Sequence, residues 1–410
     1  METPSRSLAL ELLVAAGLAA ALAGCQPRSS AELPPVPAAV ARAPALSYSL
    51  PEPTAASSKP EVSQPPLADA APKSVPGDAP IVKPPSPESQ AAAFNRSLLD
   101  LQLGETLQLL EDIPIARTDY GVRVAFSPDS DVMLHNGNGL LIQQFDLAQG
   151  EPLQDLIGFE NFSTWTISVS PDGSTVVADD VSQFLVWKVD SGEQVSSLDL
   201  PPVSGVTAAG FHADEFFFAA DLHGNVILWD PHSWGEISRF NYPGLIEAAV
   251  LFPDGSAIAL QDRRQREIGI FDLQGTRLGT IPIEHDNDLL LSISPTGDRF
   301  LLHVDYGYPT EGIRIVDVAS GETLLDLPLL NFRQFAVSSD WSLLAAVGVQ
   351  NELRLFRLPE GQLLLAQPLG VARTLGISMS ADTAYLALYV FKAGNAGAAI
   401  QVWGRGSDAP

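Results

Sequence analysis

The stretch ISVSPDGSTVVADDVSQFLVWKVD, residues 167–190, decides the fold. An apolar–polar alternation runs into Ser170-Pro171-Asp172-Gly173 and leaves it as a second apolar run ending on Asp180. Proline presets φ at one corner of such a turn and glycine tolerates the positive φ of another, so the segment reads as strand, hairpin, strand. The same order recurs in VAFSPDS (124–130), AAGFHAD (208–214), AVLFPDG (249–255), LSISPTG (291–297), FAVSSDW (335–341) and ISMSADT (377–383). Aligned on Pro128, Pro171, Ala213, Pro253, Pro295, Ser339 and Ala381, the copies step by 43, 42, 40, 42, 44 and 42 residues. A fixed period of this size marks a repeat architecture.

Each copy carries a second anchor: LLIQQFD (140–146), FLVWKVD (184–190), VILWD (226–230), IGIFD (268–272), IRIVD (313–317), LRLFR (353–357) and IQVWG (400–404). A polar loop follows, then a further short strand such as TLLDLPL. Four strands per copy, seven copies and no helical pattern between them predict an all-β fold, a seven-bladed β-propeller over 104–410.

The aromatic-plus-aspartate endings, the Ser-Pro-Asp-Gly turns and the step resemble the WD-repeat family over the whole of 104–410. By that resemblance Asp180, Asp221, Asp262 and Asp305 are the structural aspartates of the turn between second and third strands. His285 alone is similar to the family's Gly-His pair, and its glycine is absent. After IQVW (400–403) only GRGSDAP remains, so the last blade lacks a fourth strand. GETLQLL (104–110) is similar to GETLLDL (321–327), a fourth strand, and belongs to no blade of its own. The family closes its ring with an N-terminal strand, which implies that Glu105–Leu110 pairs beside Ile400–Trp403. Closure would also remove an open sheet edge.

The region before the repeats reads as an address and a spacer. Arg6, then the Leu/Ala-rich run from Leu8 to Gly24, make an export signal over 1–24. That run is short for a membrane span and contains Glu11. Leu22-Ala23-Gly24-Cys25 resembles the bacterial lipoprotein box, which implies cleavage before Cys25, the sole cysteine, and acylation, including palmitate, on it. Two or three acyl chains are needed for stable anchoring. Gln26 in place of aspartate implies, by the same resemblance, the outer membrane facing the periplasm rather than the inner membrane or the cell surface. Residues 26–93 hold 16 of the 33 prolines, so 25–103 is expected to be a lipidated, disordered Pro/Ala tether with a brief helix at 97–103. At about 3.1 Å per residue it would reach roughly 200 Å.

Composition and motifs narrow the chemistry. From Gly104 onward 40 acidic residues face 16 basic ones, a net of −24, which repels nucleic acid and anionic lipid. G-x-S-x-G, Walker, H-E-x-x-H and paired-cysteine zinc patterns are absent. The histidines at 135, 212, 223, 232, 285 and 303 take different places in the repeat, so no metal site and no cofactor are expected. EHDND (284–288) offers alternate oxygens but lacks the glycine turn and spacing of calcium loops, and reads as a solvated acidic loop.

In WD-repeat proteins the loops between second and third strands, with those joining blades, form a face that binds peptides and proteins. On this sequence that face would gather Phe159, Phe162, Tyr242, Arg263, Arg264, Arg266, Tyr306, Tyr308 and Phe332, residue types that make hot spots. Each aromatic has packing against the neighbouring blade as its alternative, and the arginines a local ion-pair cluster. The preferred reading is a non-enzymatic, membrane-anchored interaction platform for envelope proteins or peptides. An enzyme with a channel site, such as a glycan hydrolase, and a purely structural envelope component remain the rival readings.

Overall fold

The computed structural model describes residues 97–101, 105–116, 122–160, 164, 166–180, 183–200, 205–262, 264–285, 287–305 and 310–405. The expected signal 1–24, Cys25 and the tether up to residue 96 lie outside them. So do Phe162, Arg263, Tyr306 and Tyr308.

The described strands form seven antiparallel sheets: blade 1 (124–157), blade 2 (167–199), blade 3 (206–241), blade 4 (248–282), blade 5 (289–330), blade 6 (332–368) and blade 7 (373–404). Strand order within each blade follows the chain, innermost first. In blade 1 the outermost strand comes in two pieces, Glu151–Pro152 and Leu156–Ile157, both paired with Leu141–Asp146. Inner strands of neighbouring blades touch, including those of blades 7 and 1, and the inner strand of blade 6 meets the third strand of blade 5, so the ring is closed.

The core is a set of seven apolar layers, one between each pair of neighbouring blades. A blade therefore has both faces covered. That is why second strands read as unbroken runs: Thr175–Asp180, Phe216–Asp221 and Ala257–Asp262 are buried at every position. Outermost strands have only one neighbour and keep exposed residues, as in Glu236–Asn241.

The hairpin turn is locked by its own side chains. In five blades a serine (127, 170, 294, 338 or 380) donates its hydroxyl to the turn aspartate and accepts the N–H five residues on. Asp172 takes further bonds from the Ser174 N–H and hydroxyl, at 3.0 and 2.7 Å. The Ser170 hydroxyl first, and then Ser174, hold its carboxyl down at about 2. In blades 3 and 4 the serine is replaced by His212 and Phe252, which instead pack on Phe216 and Phe300.

The closing strand differs in register from the expected Glu105–Leu110. It is Gln108–Ile115, paired antiparallel with Ala398–Gly404 from Gln108↔Gly404 to Ile115↔Ala398, with a bulge between Leu109 and Glu111. The reason lies in Leu107. It is buried at 3 % in the layer between blades 6 and 7, and its N–H and C=O both bond the Gln367 amide, at 2.8 and 3.0 Å. The residues upstream belong to the ring too. Leu98–Asp100 forms one 3₁₀ turn, capped by Ser97, with Leu98 fully buried in the same layer. Leu98 donates its N–H to the Thr383 carbonyl at 2.8 Å, and Arg357 binds the Leu99 carbonyl. The folded body thus begins at or before Ser97, earlier than residue 104.

Candidate functional site

The ends of the second strands build one loop face, and the turn aspartates hold it. Asp180, Asp221 and Asp262 are buried at 1, 3 and 2 %. Asp180 accepts the Glu160 N–H at 2.9 Å, from the loop entering its own blade. Asp262 accepts the Arg264 N–H at 2.8 Å and the Tyr242 hydroxyl at 3.0 Å, again from the entering loop. Asp305 is held by Asn287 Nδ2 at 2.9 Å, and its N–H donates to Asp288 at 3.2 Å. Asp221 works within its own turn, accepting the N–H groups of His223 and Asn225 and the Asn225 amide. A buried carboxylate is tolerated only when bonded in this way.

Asp288 also anchors the acidic loop. It is 1 % exposed, meets His285 Nδ1 at 3.3 Å, and burial pushes its pKa up. Its carbonyl accepts from Gln261, whose other amide atom takes the Leu290 N–H. Glu284 is engaged by Arg314, which also reaches Asp326. Among the described residues no group of three or more His, Cys, Asp or Glu is placed to hold a metal ion.

The partner candidates divide. Phe159 is not presented to solvent: it is 7 % exposed, with its ring 5.1 Å from that of Trp187 in the layer between blades 1 and 2. Phe332 is 2 % exposed, and the Arg354 guanidinium covers its ring at 4.7 Å. Only Asn331 separates the outermost strand of blade 5 from Phe332, the first residue of blade 6's inner strand. With so short a connection the aromatic is a strand residue facing the neighbouring blade, not a loop residue. Both are core side chains, and an alanine at either is expected to destabilise by about 3–5 kcal/mol. Tyr242 is half-buried, edge-on to Phe271 at 5.6 Å, and burial together with the bond to Asp262 pushes its hydroxyl up to about 12.

Arg264 and Arg266 are exposed on this face, Arg266 donating to the Glu284 carbonyl at 2.6 Å. Val349, 46 % exposed between the second and third strands of blade 6, shares the face and was not singled out in the sequence. Gly348 and Asn351 on either side of it are turn residues, and they are the signal in the sequence that sets Val349 apart from the apolar strand before it.

His135 closes the second strand of blade 1 and carries a pH dependence. It is 1 % exposed, its Nδ1 accepts the Gly137 N–H at 3.1 Å, and burial pushes the imidazole down to about 4. An unfolded chain binds that proton near the ordinary histidine value of 6.5, so the contribution is whole above pH 6.5 and lost as pH falls toward about 4. The expected loss over this window is about 3 kcal/mol. Denaturant melts of wild type and His135→Gln at pH 7 and 4.5 check it: the variant should lack this slope.

No family model matches the sequence. A 158-residue stretch is 27 % identical to a serine-threonine kinase receptor-associated protein of Dictyostelium discoideum, covering 38 % of this chain and 53 % of that protein. The matched stretch spans about half the length of that curated relative. In structure the chain is similar to the β-propeller domain of Cps50 (Swd1) from Myceliophteria thermophila, with a TM-score of 0.59 and 16 % identity. That likeness covers 73 % of this chain and 99 % of the other. The chain is a seven-bladed β-propeller.

Proposed function

We propose that the propeller is a protein-interaction platform, exported and anchored through lipid on Cys25, whose loop face receives an envelope protein or peptide. The observation that carries the binding half is the face itself. Buried, hydrogen-bonded aspartates brace its loops, and exposed Arg264 and Arg266 stand out on a body of net charge −24. Rigid loops that carry charge unlike their surroundings favour specific partners over nonspecific ones. The anchoring half, with outer-membrane placement facing the periplasm, is supported by Leu22-Ala23-Gly24-Cys25 and Gln26. Catalysis has no comparable support in motif or geometry.

Two measurements test the halves separately. A photo-crosslinking residue at Arg264 or Arg266 should capture one protein in living cells, while the same residue at Asp317, on the opposite turn, should not. Equal capture from both positions would count against the loop face. Cys25→Ser should abolish incorporation of labelled palmitate and release the protein from membranes. Retention on membranes without label would end the anchoring reading.

A further inference from the structure

Where blade 7 meets blade 1 the side of the ring opens into a cavity of about 290 Å³, half open to solvent. Leu110, Leu147, Ala148, Tyr385 and Val402 give it apolar walls, and Glu111 is the single charged residue among its lining. It arises from the seam. The bulge between Leu109 and Glu111 interrupts the closing strand beside Val402, so the carboxylate faces the turn of blade 1. A Cβ on Gly150, in that turn, would lie 3.1 Å from Glu111 Oε1. In blades 4, 5 and 6 the corresponding turn glycines, Gly275, Gly321 and Gly361, meet Phe240, Ile281 and Leu325 of the blade before. A carboxylate therefore stands where those three junctions place an apolar side chain and where the junction of blades 1 and 2 places the neutral amide of Gln154, against Gly192.

Glu111 is partly buried, and its carboxylate has no hydrogen bond or ion pair among the described residues. The next residue shows the contrast: Asp112 is paired with Lys392 at 2.6 Å and with the Gln401 amide. The cavity's aromatic member, Tyr385, is 8 % exposed; burial first, and then the nearby carboxylates of Asp382 and Asp131, push its hydroxyl up to about 12. An apolar slot with one unmet carboxylate and an aromatic ring suits an alkyl stem ending in a cation.

We propose that this seam cavity binds a lysine or arginine side chain of a basic peptide segment, its stem against Leu110, Leu147 and Val402 and its head on Glu111. The charge of the body, −24, draws such a segment in. The turn Leu147–Gly150 joins third and fourth strands and so lies at the opposite end of the blades from the loop face. The two sites thus stand or fall independently.

The test titrates the full chain with hexylamine, with hexanol and with an acetylated octalysine peptide, followed by calorimetry. Hexylamine should bind at least about tenfold more tightly than hexanol, since the charge-assisted bond is absent from the alcohol. Glu111→Gln should lose about tenfold in affinity for both cations with its melting temperature unchanged, and salt should weaken binding. Ala148→Leu, which fills the cavity and leaves the charge, should also abolish hexylamine binding. Equal affinity for amine and alcohol, or wild-type affinity in either variant, would overturn the proposal. Octalysine held more tightly than hexylamine, and dependent on Glu111, assigns the site to a basic chain. Equal affinities would assign it to a free amine and overturn the peptide.

Discussion

Deleting residues 97–115 is expected to leave a chain that does not hold a closed monomeric ring. The segment removes Leu98, Leu101, Leu107 and Ile115 from buried positions and exposes the edge of Ala398–Gly404. At about 1.5–3 kcal/mol for each buried side chain, the loss is on the order of 6–12 kcal/mol. That is comparable with the whole stability of an ordinary domain, about 5–15 kcal/mol. The deleted protein should aggregate or melt with no cooperative transition in calorimetry. Leu98→Ala separates the plug from the strand, because it keeps every ladder bond and leaves a hole between blades 6 and 7. It should cost about 2–5 kcal/mol in denaturant melts. A deletion that melted within a few degrees of wild type would mean that blade 7 is stable without its outermost strand.

Gly224→Ala is expected to be the most damaging single methyl in the ring. Gly224 sits at φ +94° in the turn that Asp221 organises, and a Cβ there would lie 2.0 Å from the Tyr242 carbonyl oxygen. That oxygen is backbone, so it cannot rotate away. Its neighbours are fixed as well, since the Tyr242 N–H donates to the Gly224 carbonyl at 2.7 Å. Conformational strain alone costs about 1–3 kcal/mol for a residue held there, and relief of the overlap has to move the strand end of blade 3. A loss of about 3–5 kcal/mol is expected, more than most single substitutions cause. Urea denaturation checks it; a change under 1 kcal/mol would show that the turn shifts freely.

The repeat was legible because it is physical at every copy. Ser-Pro-Asp-Gly at 170–173 is a turn whose hydroxyl and carboxylate bond its own backbone, and the pattern survives with Ser338 and Ser380 although the proline is lost. The seam was legible in kind but not in register. GETL at 104–107 and GETL at 321–324 share letters while Leu107 is buried and Leu324 is half exposed, because only the first lies between two blades. Partner residues were least legible. Phe159 and Phe332 look like loop aromatics in sequence, yet a connection one residue long, or the turn at Gly158, aims them into the ring. Which way a loop residue faces depends on the blade beside it, roughly 40 residues away in the chain. Asp180, Asp221, Asp262 and Asp305 could be placed because their bonding partners are local or in the adjoining loop.

The pairing Gln108↔Gly404 joins residues almost 300 positions apart. A ribosome adding about 5–20 residues per second makes the first of these roughly 15–60 seconds before the second exists. Throughout that interval Leu98 and Leu107 lack the blade 6 and blade 7 residues that bury them, while the blades after them are able to stack in order of appearance. The last blade can finish only when the oldest strand is still unspoiled and within reach. Closure of this ring therefore ends with a long-range capture of its N-terminal strand by its C-terminal one.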